Sequence, residues 1–125
     1  MKYLALLLSV SAIAVVAPPV DAAELLMVEE HGCYWCERWD DEIAPIYPKT
    51  TEGKFSPLRR IDIDDPAPAD VTFQNRLHYT PTFVLVEDGE ELARIEGYPG
   101  EDFFWGLLAQ MLRQHTDYCR GTTEC

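Results

Sequence analysis

Cys33 and Cys36 stand two residues apart in the run G-C-Y-W-C-E-R-W-D. A pair at this spacing can cycle between dithiol and disulfide, supply half of a metal site, or clip a loop. A zinc site draws four nitrogen or sulfur ligands. The other two cysteines, Cys119 and Cys125, follow a C-x5-C spacing, and His31, His78 and His115 show no paired spacing. A haem attachment would need His after the second cysteine, where Glu37 stands. A clip over so short a loop would add little stability, because the gain grows with loop length. Positive support exists for redox chemistry. Cys33 follows an apolar run and the flexible Gly32, and it opens a helical pattern whose N-terminus favours a thiolate. The residues therefore favour a redox pair. The alternative is a metal-binding module, a metallochaperone built on His31, Cys33 and Cys36.

The elements that must hold this pair can be read around it. Residues 25–28 (L-L-M-V) form a continuous apolar run, the mark of a strand buried on both faces. From Cys33 the period changes: Cys36, Trp39, Ile43 and Ile46 fall on one helical face, and Pro45 should end or kink that helix. Residues 58–63 predict a second strand. Val71, Phe73 and Leu77 predict a short helix after a Pro- and Asp-rich loop. Residues 82–86 are the strongest strand, and Asp88-Gly89 turns it into a partner over 91–96. Phe104, Leu107, Leu108, Met111 and Leu112 form the stripe of a last helix, and residues 116–125 read as a polar tail. The order gives an α/β fold: a βαβ unit, then a β-hairpin and a C-terminal helix. It makes a mixed four-stranded sheet with helices on both faces.

Met1-Lys2, an apolar stretch to Ala17 and Val20-Asp21-Ala22 have the layout of a secretory signal peptide over residues 1–22. An uncleaved membrane anchor is the other reading. The organisation expected is 1–22 signal peptide, 23–115 one domain, and 116–125 a tail carrying a cysteine pair. Export would permit disulfides. The net charge of −12 is opposite in sign to that of a nucleic-acid binder.

These features resemble the thioredoxin-like superfamily. The resemblance rests on the strand–turn–Cys33-Tyr34-Trp35-Cys36–helix unit, on Thr80-Pro81-Thr82-Phe83 before a hairpin strand, and on Gly97-Tyr98 before the last helix. More narrowly, G-C-Y-W-C-E-R-W-D and the following A-P-I-Y are similar to the periplasmic thioredoxins of bacterial sulfur-oxidation (Sox) systems. The resemblance implies an exported protein-disulfide reductase working in the periplasm. Cys33 would be the nucleophile and Cys36 the resolving thiol. Pro81 would be a cis-proline, with Thr80 offering backbone to substrate; apart from the resemblance, Trp35, which lies off the apolar stripe that takes Trp39, is the candidate for a partner-binding surface. The resemblance implies no cofactor, a protein thiol or disulfide as substrate, a membrane thiol–disulfide electron donor, and action as a monomer. The Tyr-Trp dipeptide departs from the Gly-Pro of thioredoxin. Cys119 and Cys125 read as a terminal disulfide, with a second redox pair as the alternative.

The acids pose a separate question. Glu29, Glu30, Glu37, Asp40 and Asp41 surround the pair. Like charge disfavours ionisation and should raise the Cys33 thiol pKa. That predicts a reductant rather than an oxidant, although the helix dipole and His31 pull the other way.

Overall fold

The computed structural model describes residues 23–121. The signal-peptide reading of residues 1–22 lies outside them, as does Cys125. Among the described residues no helix is long and apolar enough to cross a membrane.

Strand β1 (Glu24–Glu29) is the centre of the sheet. It pairs in parallel with β2 (Leu58–Asp62), Val28 opposite Ile61, and antiparallel with β3 (Thr82–Glu87), Met27 opposite Phe83. Strand β4 (Glu90–Glu96) closes the order β2-β1-β3-β4. The continuous apolar run of β1 follows from this position. Leu25 and Met27 point into one core with Phe83 and Leu85, and Leu26 and Val28 into a second with Val84 and Val86. The hairpin turns at Asp88 and Gly89, both at positive φ (53° and 75°), as its Asp-Gly signal predicts.

Helix α1 (Tyr34–Glu42) crosses from β1 toward β2, and buries Cys36 and Trp39. It ends before Pro45, so Ile46 lies past its last turn and is exposed rather than part of the stripe; Tyr47 fills the core instead. Two short elements follow that the apolar period does not reveal, a 3-10 turn (Tyr47–Lys49) and α2 (Thr51–Phe55). Thr50 caps α2, its Oγ1 accepting from Gly53 N at 3.0 Å. Helix α3 (Glu101–His115) buries Phe104, Leu108, Met111 and Leu112, while Leu107 turns outward.

The second face of the sheet differs from the expectation. No helix forms over Val71, Phe73 and Leu77, so the helices contribute to one core only. An irregular strap covers the other face, with these three side chains packed on Leu26, Val28, Val84 and Val86. Val71 and Phe73 alternate with polar Thr72 and Gln74, which is a two-residue period. Strand β4 offers the strap a backbone partner: Thr72 N donates to Gly89 O (2.8 Å), and Glu91 N donates to Thr72 O (3.0 Å). The tail reading also needs correction at its start. Thr116 and Tyr118 are buried, and Tyr118 meets the Phe55 ring edge-on at 5.1 Å.

Two helical glycines make opposite predictions. A Cβ on Gly106 would meet nothing within 4 Å, so Gly106→Ala should stabilise the domain by roughly 0.5–1 kcal/mol. A Cβ on Gly53 would lie 1.9 Å from Tyr47 O, so Gly53→Ala should destabilise it. Urea unfolding of both variants checks the pair; the same sign for both would contradict the packing described.

Candidate active site

The site is built where β1 ends. The chain turns through Glu30-His31-Gly32, with Gly32 at φ 76° and Cys33 N donating to Glu30 O (3.3 Å). Cys33 then caps α1, its Sγ accepting from Cys36 N at 3.1 Å. An N-terminal N–H of α1 thus points at this sulfur, which is the electrostatic setting that favours a thiolate. The two cysteines are joined, with S–S 2.08 Å and Cα–Cα 5.2 Å. Cys33 is 9% exposed and Cys36 4%, so Cys33 is the more accessible residue of the pair. Tyr34 and Trp35 between them project outward, their rings edge-on at 5.1 Å.

Two further loops gather at this end of the sheet. The register Val28 opposite Thr82 brings residues 80 and 81 beside the end of β1. Thr80 Oγ1 donates to Glu30 Oε1 at 2.5 Å, the Thr80–Pro81 bond is cis, and Pro81 is buried. Gly97 N donates to Pro81 O at 2.7 Å and ties the Gly97–Pro99 turn to the same place. Cys33, Cys36, Trp35, Thr80 and Pro81 therefore share one end of the domain. Cys119 does not join them. It follows the far end of α3, about 22 Å of helix away from that turn. It is half-buried against the core, at φ 68°, and is no free thiol. Its expected pairing with Cys125 involves a residue outside those described. Among the described residues no group of three or more His, Cys, Asp or Glu side chains is arranged to hold a metal ion.

The acids around the pair are partly neutralised by residues that the sequence pattern does not single out. Arg60 on β2 donates from Nη1 to Glu29 Oε2 (2.6 Å) and from Nη2 to Asp40 Oδ1 (2.5 Å), and its guanidinium carbon lies 5.6 Å from the Trp39 ring centre. Glu42 accepts from Tyr98 Oη (2.6 Å) and from Arg38 Nε (3.0 Å). These two donors hold the Glu42 carboxyl below its usual range, and burial with the Glu42 contact pushes the Tyr98 hydroxyl up. Glu37 and Asp41 are exposed and have no ion-pair partner among the described residues. The Arg59-Arg60 dipeptide, between Leu58 and Ile61 on β2, is the sequence signal that could have pointed to this neutralisation.

A disulfide at a helix N-terminus, flanked by an exposed tryptophan and a buried proline loop, has the setting for exchange with another disulfide. The model of the thioredoxin-like domain family matches residues 14–112. No curated protein matches the sequence. Among solved structures the chain is similar to the reduced form of the periplasmic thioredoxin SoxS from Paracoccus pantotrophus. The identity is 49% over 74% of this chain and 97% of that one, with a TM-score of 0.72. It shares a fold with a thioredoxin-fold protein from Helicobacter pylori (21% identity, 86% and 78% covered, TM-score 0.54). The same holds for Trxlp from Edwardsiella tarda (22% identity, 70% and 82% covered, TM-score 0.54).

Proposed function

The chain belongs to the thioredoxin-like family, and from that premise we propose that it is an exported thiol–disulfide oxidoreductase that reduces a partner protein in the periplasm. The observation that carries this reading is the Cys33–Cys36 disulfide capping α1, in a chain 49% identical to a periplasmic thioredoxin. The similarity of G-C-Y-W-C-E-R-W-D to the thioredoxins of sulfur-oxidation systems extends the proposal to a role connected with sulfur oxidation. In the reductive direction the Cys33 thiolate attacks a partner disulfide. A mixed disulfide forms and one partner thiolate leaves. The Cys36 thiolate then attacks Cys33 Sγ, releasing the second partner thiol and regenerating the Cys33–Cys36 bond. Two electrons pass to the partner, and a membrane thiol–disulfide donor restores them. Thr80 and the Pro81 loop present backbone to the partner chain, and Trp35 offers it an apolar surface. The polypeptide acts as a monomer and needs no cofactor.

The test is the reduction potential of the pair in a Cys119→Ser/Cys125→Ser background, measured against dithiothreitol and glutathione. The expected value lies near that of thioredoxin, about −270 mV. A value near that of DsbA, about −120 mV, would overturn the reductant reading.

The same measurement answers why acids crowd a thiolate. Arg60 holds two of them, Glu29 and Asp40. In Arg60→Met both carboxylates are uncompensated beside α1, the thiolate is less favoured, and the couple should become more reducing by about 10–30 mV. Arg60→Lys should restore most of the difference, and salt should shrink it. An unchanged potential in Arg60→Met would mean that these charges do not reach the sulfurs.

A further inference from the structure

The proposed chemistry uses the sulfurs and the Pro81 loop, but leaves an adjoining surface without a role. Trp35, Ile95, Tyr98, Pro99 and Leu107 line an open groove of about 400 Å³ between α1, the end of β4 and α3. Two large apolar side chains of its lining meet solvent, and a third stands nearby on α3 outside the lining. Trp35 is 50% exposed, Leu107 41%, and Phe103 71%. Phe103 precedes Leu107 by four residues and so lies one turn earlier on the same helix face.

We propose that this groove docks an extended apolar segment of the partner protein that carries lysine or arginine beside its disulfide, a proposal that rests on the disulfide-exchange reading above. Continuity supports it. Trp35 stands between the two cysteines, so a segment bonded to Cys33 enters the groove within a residue or two, at about 3.3 Å per residue of extended chain. Charge selects the flanks. Glu96 lines the groove, and Glu101 and Asp102 begin α3 just beyond Pro99. The nearby cations are committed elsewhere: Arg38 bonds Glu42, and Arg94 bonds Glu91 at 2.6 Å while reaching Glu96 only at 3.7 Å. Lys49, Lys54, Arg113 and Arg120 lie on the 3-10 turn, on α2 and at the far end of α3. The groove is therefore apolar in its floor and negative at its rim, which complements a cationic, apolar strand.

The experiment uses the reduced protein and two synthetic peptides. Each carries one internal disulfide beside the same leucine-rich segment, flanked in one by lysines and in the other by glutamates. The lysine peptide should be reduced about tenfold faster at low salt, with the gap closing near about 0.5 M salt. Leu107→Ser and Phe103→Ser should each slow reduction of the lysine peptide by about five- to tenfold. Both variants should reduce hydroxyethyl disulfide, which is too small to reach the groove, at the wild-type rate. Equal rates for the two peptides, or wild-type rates with the lysine peptide in both variants, would overturn the proposal. A wild-type protein that reduced neither peptide nor hydroxyethyl disulfide would overturn the redox reading itself, and the docking proposal with it.

Discussion

In a Cys119→Ser/Cys125→Ser background, Cys36→Ser should abolish multiple turnover and accumulate a one-to-one covalent adduct with a disulfide substrate. The asymmetry of the two sulfurs is the reason. Cys33 Sγ lies at the cap of α1 and accepts the Cys36 N–H at 3.1 Å, and Cys33 is the more exposed residue of the pair. Helix-end donors lower the cost of its negative charge, so Cys33 is the sulfur that attacks. Cys36 is nearly sealed by the core and reaches only Cys33. Without it the first attack still proceeds, but the mixed disulfide has no internal resolving thiol. Cys33→Ser should form no adduct and show no turnover. Intact-protein mass spectrometry after incubation with a peptide disulfide separates the cases. Trapping by Cys33→Ser in place of Cys36→Ser would reverse the assignment. If Cys36→Ser kept turning over when only Cys119 and Cys125 were restored, those cysteines would be a second resolving pair.

Much of this site is legible because local patterns position it. A continuous apolar run of four residues before a turn suits a central strand, Asp88-Gly89 suits a hairpin turn, and the change of period at Cys33 marks a helix start. Misreadings arise where local pattern is ambiguous or short. Val71, Phe73 and Leu77 fit helical spacing loosely, yet Val71 and Phe73 alternate and the strap bonds to β4 at Thr72. The 3-10 turn and α2 span three and five residues, too few to show a period. Ile46 and Leu107 share apolar character with their stripes but fall off the buried face, the first because α1 stops early and the second because α3 packs along a narrower line. The acids were visible as a crowd, but their partners were not. Arg60 reaches Glu29 across 31 residues through the β1–β2 register, and Asp40 across 20 because α1 lies beside β2. The charge around Cys33 is therefore legible in the sequence, and its neutralisation is not.

The largest stability effect should come from Trp39→Ala, at a cost of about 3–5 kcal/mol. Trp39 is fully buried and packs on Phe83 (5.4 Å), Phe104 (5.8 Å) and Tyr47 (6.0 Å), so its ring joins α1 to β3, α3 and the 3-10 turn at once. Removing it opens a void that the sheet cannot fill without moving α1, and also removes the surface over which Arg60 lies. A domain of this size loses roughly 4–8 °C of Tm per kcal/mol, so the variant should melt at least about 12 °C lower. Trp39→Phe isolates the contribution of the ring. Trp39 Nε1 is buried with no hydrogen-bond partner among the described residues, and phenylalanine removes that donor while keeping most aromatic contacts. Its cost should be only about 1–2 kcal/mol. Equal costs for the two variants in urea unfolding would mean that the indole edge, not the packed ring, carries the stability. The Cys33–Cys36 bond cannot make good such a loss, because it closes a loop too short to restrain the unfolded chain appreciably. The seating of α1 on the sheet therefore rests on Trp39, one helical turn behind Cys36, and not on the disulfide.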